Sequence, residues 1–415
     1  MAWRARSTVP ARHHPSPQSP GAALPRYVQV TLDWTDLVAF VGALQGLLLA
    51  GVLVAHKSNR AANRLLAGLM VAFSIYLLWD VYYSAGLTRA YPHLFGISYP
   101  LPWVFGPLVY LYAVAASDRS RRFRMRDALH FVPVVVVVLA ALPIYMLSGP
   151  DKVALYDRLR VGDAPTLIAV MSPFMYVSGL SYSVATVEYL RRHRRRVENA
   201  YSNTERVNLR WLVWLSGAAA AIWLLAVSVT LAKLVPHTVQ RQNDDLVALA
   251  IAILVYAIGY MGLRQPEIFR YDGPVENPPA ESPPPVESAQ TRYERSGLSD
   301  IEAAKLKSSI LSLMDNDHPY RDPDLTLPQL AEQLDTTPHK LSEVLNSELG
   351  KTFYDFINGY RVEDVRRRLA ESASHNINML ALAMDAGFAS KSTFNQVFKK
   401  LTGKTPSTFR KVRAG

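Results

Sequence analysis

Near the C-terminus, Ser390, Lys391, Ser392, Thr393, Asn395 and Gln396 stand within two helical turns of one another. Short hydroxyl and amide side chains at the start of a helix can reach base edges in the DNA major groove, and Asn and Gln are suited to adenine. Lys399, Lys400, Lys404, Arg410, Lys411 and Arg413 follow, and residues 386–415 contain no acid, for a net +7. A one-sided basic cluster is what phosphate neutralisation requires; the plainer alternative is a solvated basic tail. Thr337, His339, Lys340, Ser342 and Glu343 form an earlier polar set, but residues 300–385 hold 9 basic and 15 acidic residues. That acidic background leaves the earlier set little part in phosphate binding.

Other chemistry is sparse. The chain has no cysteine, which excludes disulfides and thiolate ligands or nucleophiles. No Gly-rich phosphate loop, HExxH or nucleophile elbow occurs. The histidines are scattered apart from His13-His14, so no metal site, cofactor or enzymatic activity is expected. Asp80 is different, because it lies inside an apolar run beside Tyr76, Trp79, Tyr82 and Tyr83. An acid in such a run is either a hydrogen-bonded packing residue or part of a sensor pocket, with Trp79 and Tyr83 as its neighbours. Pro100, Pro102, Gly106 and Pro107 in the next run suit helix starts and packing, or a kink that opens space between helices.

The elements that would position these residues are helical. Apolar runs recur at about 35–55, 65–87, 98–117, 128–148, 165–190, 211–232 and 245–263. Each approaches the ~20 helical residues that cross a ~30 Å hydrocarbon core. Loops after the first, third and fifth runs carry 15 Lys and Arg, the alternate loops 6. The Arg-rich loops are therefore expected in the cytoplasm, with the N-terminus outside and the C-terminus inside. The Arg191–Arg196 run reads as an anchor on anionic lipid. A retinal receptor would need a lysine in the last run, and 245–263 has none.

Of the 415 residues, 1–270 carry 27 Lys and Arg against 14 Asp and Glu, so most of the chain's net +11 belongs to the apolar half. Residues 1–34 are expected to be a disordered tail; their prolines and arginines without an apolar core exclude a signal peptide and favour a start codon placed too early. Pro274, Pro278, Pro279, Pro283, Pro284 and Pro285 mark 265–297 as an extended linker.

From 298 to 415 the pattern is that of a soluble helical domain. Ser299 with Glu302 and Thr326 with Gln329 read as capping boxes. Thr337 and Ser390 read as N-caps, and Gly350, Gly387 and Gly403 as stops. Helix–turn–helix geometry is predicted twice, at about 327–349 and 379–402, joined by a helix at 352–371. Two such units can present two recognition helices to successive faces of the major groove.

The stretch Ala383–Arg410, AMDAGFASKSTFNQVFKKLTGKTPSTFR, resembles the signature of the AraC/XylS family of bacterial transcription regulators. The matching positions are Ala383, Gly387-Phe388, Ser390, Phe394, Phe398-Lys399-Lys400, Gly403, Thr405-Pro406 and Arg410. LTLPQLAEQL, TPHKLSEVLN and the Gly350, Phe353 and Arg361-Val362 positions extend the resemblance over roughly 305–413. It implies a double helix–turn–helix domain on promoter DNA. Departures are Glu343 where the family often has a base, Leu345-Asn346 for its Phe-Lys pair, and Val365 at an Ala-preferring place. The first unit therefore either binds more weakly or reads cytosine N4 through Glu343.

The expectation is an all-α protein: a seven-span transmembrane bundle over 35–264, then the linker and the DNA-binding domain. It would act as a sequence-specific regulator in the bacterial cytoplasmic membrane, its C-terminal domain in the cytoplasm. Double-stranded DNA, membrane lipid, a small-molecule or envelope signal and a second copy of the chain are the expected partners. The competing reading is a transporter or channel-like protein with a regulatory cytoplasmic helical domain.

Overall fold

The structure, a computed structural model, describes residues 32–56, 59–118, 123–204, 210–232, 244–264, 299–371 and 378–409. The expected tail, the Pro-rich linker and Arg410 lie outside these residues, as do Lys411, Arg413 and the loop residues Lys57, Arg119, Arg121, Arg122, Arg206, Lys233 and Arg241. The described residues are all-helical, apart from a single antiparallel bridge between Tyr201 and Thr326.

In the apolar half, α1 (Trp34–Ala55), α2 (Arg60–Ser84), α4 (Met125–Tyr145), α6 (Thr166–Ala200) and α7 (Arg210–Ala232) provide five helices long and apolar enough to cross a membrane. Two of the seven expected spans are not among these five. The third, α3 (Leu101–Ser117), is 17 residues long, because Pro100 and Pro102 start it late after a run of tight turns. At ~1.5 Å per residue it reaches about 25 Å. Helix α8 (Asp244–Arg264) has 21 residues, of which Leu246–Met261 are described with their side chains and form an apolar stretch.

Packing closes a ring: α1 lies between α2 and α8, α2 meets α3, α3 meets α6, α6 meets α7, and α7 meets α8. Small residues set the approach. A β-carbon added at Gly179 of α6 would enter the indole of Trp223 on α7, and one at Gly42 of α1 would press on Ala252 of α8. Leu66, Leu69, Met70, Leu77 and Val255 fill the interior with no exposure above 0%. α4 touches this ring at α3 and leaves Val132, Val135, Val136 and Leu139 exposed.

Two features were not foreseen. A short helix, α5 (Gly149–Arg160), capped by Ser148, covers one end of the bundle, where Leu155 and Tyr156 pack with Phe95. Helix α6 also runs on through the Arg191–Arg196 run to Ala200, 35 residues in all, instead of ending near 190. Arginine is a good helix former. Arg192 pairs with Glu188 at 2.7 Å and Arg194 with Glu198 at 2.8 Å, both at i,i+4 spacing.

The C-terminal helices are α9 (Asp300–Asn316), α10 (Leu327–Gln333), α11 (Pro338–Ser347), α12 (Phe353–Glu371), α13 (Met379–Asp385) and α14 (Lys391–Thr402). Capping boxes form at Ser299/Glu302 and Thr326/Gln329. The Thr337 and Ser390 hydroxyls accept the Lys340 and Thr393 amides. Gly403, at φ +72, ends α14 in the left-handed conformation.

Two apolar cores meet on α12. Phe353, Phe356 and Ile357 complete a core with Ile310, Leu330, Leu341, Val344 and Leu345. Val362 and Val365 complete another with Ala383, Phe388, Phe394, Val397 and Phe398. Asp364 between them is almost fully buried, and Arg321, Arg367 and Arg368 converge on it.

Candidate nucleic-acid interface

Helix α14 buries Phe394, Val397 and Phe398 and so turns its opposite face outward. Lys391, Ser392, Asn395, Gln396 and Lys399 are all exposed on that face, at i, i+1, i+4, i+5 and i+8. Cations and amides thus stand on one stripe of a helix whose start is capped by Ser390. Thr393 departs from the expected set, because it is buried within the first turn. Lys400 is also engaged, with its ammonium 2.7 Å from the Asp355 carboxylate on α12. Lys400 therefore links the second unit to the connecting helix.

Helix α11 offers less. Its buried stripe is Leu341, Val344 and Leu345. Thr337 and His339 are exposed and Lys340 is half-buried. Ser342 is buried, and both carboxylate oxygens of Glu343 are hidden from solvent with no hydrogen-bond partner among the described residues. The expected contact of Ser342 and Glu343 with bases is therefore not presented in this conformation, since both side chains follow the buried stripe. Asn346, a departure from the family pattern, is exposed beyond them and donates to the Ser342 carbonyl at 2.8 Å.

Of Trp79, Asp80 and Tyr83, only Asp80 lines the cavity between the helices. Phe73, Tyr76 and Asp80, spaced three and four apart, line a cavity of about 170 Å³. Pro102, Phe105 and Gly106 of α3, Met175, Tyr176 and Ser183 of α6, Trp223 and Thr230 of α7, and Ile251 of α8 complete its wall. Tyr176 and Thr230 hydrogen-bond at 2.7 Å on that wall. Trp79 lies off this stripe and donates its indole N–H to the Leu94 carbonyl at 3.0 Å. Tyr83, one turn beyond Asp80, is taken by the end cap, where it stacks on Tyr156 at 6.0 Å and accepts from the Gly96 amide.

Sequence reasoning also missed a contact between the two halves. The segment after α6 inserts Ser202 against α12, where Asn358 and Arg361 reach it. No periodicity marks Ser202. Arg361 stands out only through its place in the family pattern. Burial lowers the Arg361 guanidinium from its ordinary range to about 10.

Among the described residues no group of His, Asp and Glu side chains could hold a metal ion. A family model described as "Helix-turn-helix domain" matches residues 330–412. An uncharacterized HTH-type transcriptional regulator, YtdP of Bacillus subtilis (strain 168), is 25% identical over 114 residues. That covers 28% of this chain and only 14% of the relative's length. No solved structure matches the chain. The family match falls in the C-terminal part of the chain, and the two matches together support a helix–turn–helix, DNA-binding character for it.

Proposed function

We propose that the chain is a membrane-anchored transcription regulator of the AraC/XylS type, which binds promoter DNA through its C-terminal domain and receives a signal in its apolar half. The observation that carries the DNA reading is the exposed stripe Lys391, Ser392, Asn395, Gln396 and Lys399 on α14. Its lysines suit phosphates and its amides suit base edges. Helix α11, with His339 and Lys340 outward and Glu343 covered, is assigned the weaker contact. Arg410 is assigned a phosphate.

For the apolar half, seven spans are proposed in the bacterial cytoplasmic membrane, with α3 as a short span held by longer neighbours. The bare valines of α4 and the Arg-rich inner end of α6 support that placement. The cavity beside Asp80 is proposed as the signal site; its wall runs from mid-helix residues such as Phe73 and Ser183 to Asp80. Membrane lipid, a small-molecule or envelope signal and a second copy of the chain remain its proposed partners.

The experiment is genome-wide mapping of DNA contacts by the full chain in cells. The expected result is a set of enriched promoters sharing one sequence, lost in a Lys391→Ala, Gln396→Ala double variant. Enrichment unchanged in that variant would overturn the assignment of α14. A protein with no enriched sites at all would favour the transporter reading.

A further inference from the structure

We infer that residues 201–204 are a docking peg for the DNA-binding domain, so that α6 holds the first helix–turn–helix unit directly and the 265–297 connection is not its sole attachment. Ser202 is fully buried, with every polar group engaged. Its amide and hydroxyl both donate to the Leu325 carbonyl, at 3.3 and 2.7 Å. Its carbonyl accepts from the Asn358 amide at 3.0 Å and from Arg361 Nη1 at 3.4 Å. Its hydroxyl accepts from Arg361 Nη2 at 3.1 Å. Tyr201 bridges to Thr326, the N-cap of α10, in antiparallel register.

The receiving side is built for such a peg. Arg361 is 1% exposed and Asn358 0%. Arg361 also donates to the carbonyls of Tyr320 at 2.7 Å and Asp322 at 2.6 Å. The buried guanidinium is thus satisfied by main-chain and neutral oxygens from several segments, one of them the peg. A buried cation that loses some of its acceptors pays a desolvation cost with no return. Withdrawal of 201–204 would leave Arg361 and Asn358 short of partners unless water replaced them, which is a reason for the contact to persist.

The peg also leaves the reading faces clear. The hydrogen bonds of Ser202 fall on Leu325, Asn358 and Arg361 and the bridge of Tyr201 on Thr326, all outside α11 and α14. Met175, Tyr176 and Ser183, which line the cavity, belong to α6, the helix that the peg directly follows. One continuous element therefore touches both the cavity and the DNA-binding domain, which is the physical connection that coupling between two sites needs. That consequence rests on the regulator reading given above; the dock itself does not.

The register supplies the test. Tyr201 stands directly opposite Thr326. Directly opposed residues in an antiparallel pair have Cα atoms ~4.5–5.5 Å apart, within disulfide range. Because the chain has no cysteine of its own, a Tyr201→Cys, Thr326→Cys variant of the full chain can be oxidised without competition from other cysteines in the chain. A protease site placed within 271–297 is then cut. The expected result is one band without reductant and two with it. A control pair, Asn203→Cys with Glu348→Cys, should separate in both lanes. Adding Ser202→Trp to the first pair should reduce its cross-link to the control level. If the 201/326 pair separates as freely as the control, the dock is overturned. Retardation of promoter DNA by the same proteins is scored separately, so failure of the DNA reading is distinguishable from failure of the dock.

Discussion

The backbone of Gly387 lies against the Tyr320 carbonyl, so closely that a β-carbon on Gly387 would run into that oxygen and come within 2.9 Å of the Arg321 Cα. Gly387 closes α13, yet the backbone it meets belongs to the turn that precedes α10. The glycine is therefore also a contact between the two units, and its φ of +98 is one that side chains rarely adopt. Gly387→Ala should destabilise the C-terminal domain by at least about 2 kcal/mol, combining backbone strain with the collision. Thermal unfolding followed by circular dichroism measures this, and a transition unmoved from the parent's would contradict it.

Lysines on α14 should not contribute equally. Lys391 and Lys399 are exposed, whereas Lys400 is paired with Asp355. Lys391→Ala should lower the salt dependence of promoter binding by about one counterion, uniformly across sequences. Lys400→Ala should change that slope less and instead cost up to about 1 kcal/mol of stability, as a surface ion pair does. Binding isotherms over a range of salt concentrations distinguish the two, and equal slope changes would count against the outward stripe.

Acid should loosen the start of α9. Hydrogen bonds from the Ser299 backbone N–H, and then from its hydroxyl, hold the Glu302 carboxyl below its ordinary range. A carboxylate depressed in the folded state contributes stability that is present above its unfolded pKa and is lost as pH falls through the folded value. The stability difference between the parent and Glu302→Gln should therefore be largest near neutrality and shrink below about pH 4. A difference that stays constant down to pH 3 would show that the capping charge plays no part.

The cavity beside Asp80 can be probed by charge and by volume. Asp80→Asn removes the acid, and Ala226→Leu adds bulk to the same wall. If the signal is received there, both variants should alter transcription of a mapped target without lowering the amount of protein in the membrane. Unchanged reporter output in both, across conditions that move the parent, would remove the cavity from the mechanism.

Local chemistry made much of this fold readable in the sequence. The boxes at Ser299/Glu302 and Thr326/Gln329, the cap at Ser390 and the stop at Gly403 are each decided by neighbours within one turn. The polar residues at the start of α14 were legible by type, whereas Phe394, Val397 and Phe398 on its buried side decide which of them face outward. What escaped depends on contacts that no period records. Ser202 and Arg361 are 159 residues apart, and a serine after a basic helix carries no sign of burial. Ser342 and Glu343 have suitable chemistry for DNA, but the side of α11 they occupy was decided by Leu341, Val344 and Leu345. Trp79 and Tyr83 were expected beside Asp80, yet the end cap built by Phe95 and Tyr156 claims Tyr83.

The length of α6 sets where the chromosome must be. A helix of 35 residues extends about 52 Å, of which a bilayer's hydrocarbon takes ~30 Å. On the proposed topology, with the domain docked at the inner end of that rod, the reading helices sit within a few nanometres of the lipid surface. A promoter would have to travel to the membrane to be bound. The search would take place in a thin shell beneath the envelope, and a gene's distance from that shell would govern how soon it responds.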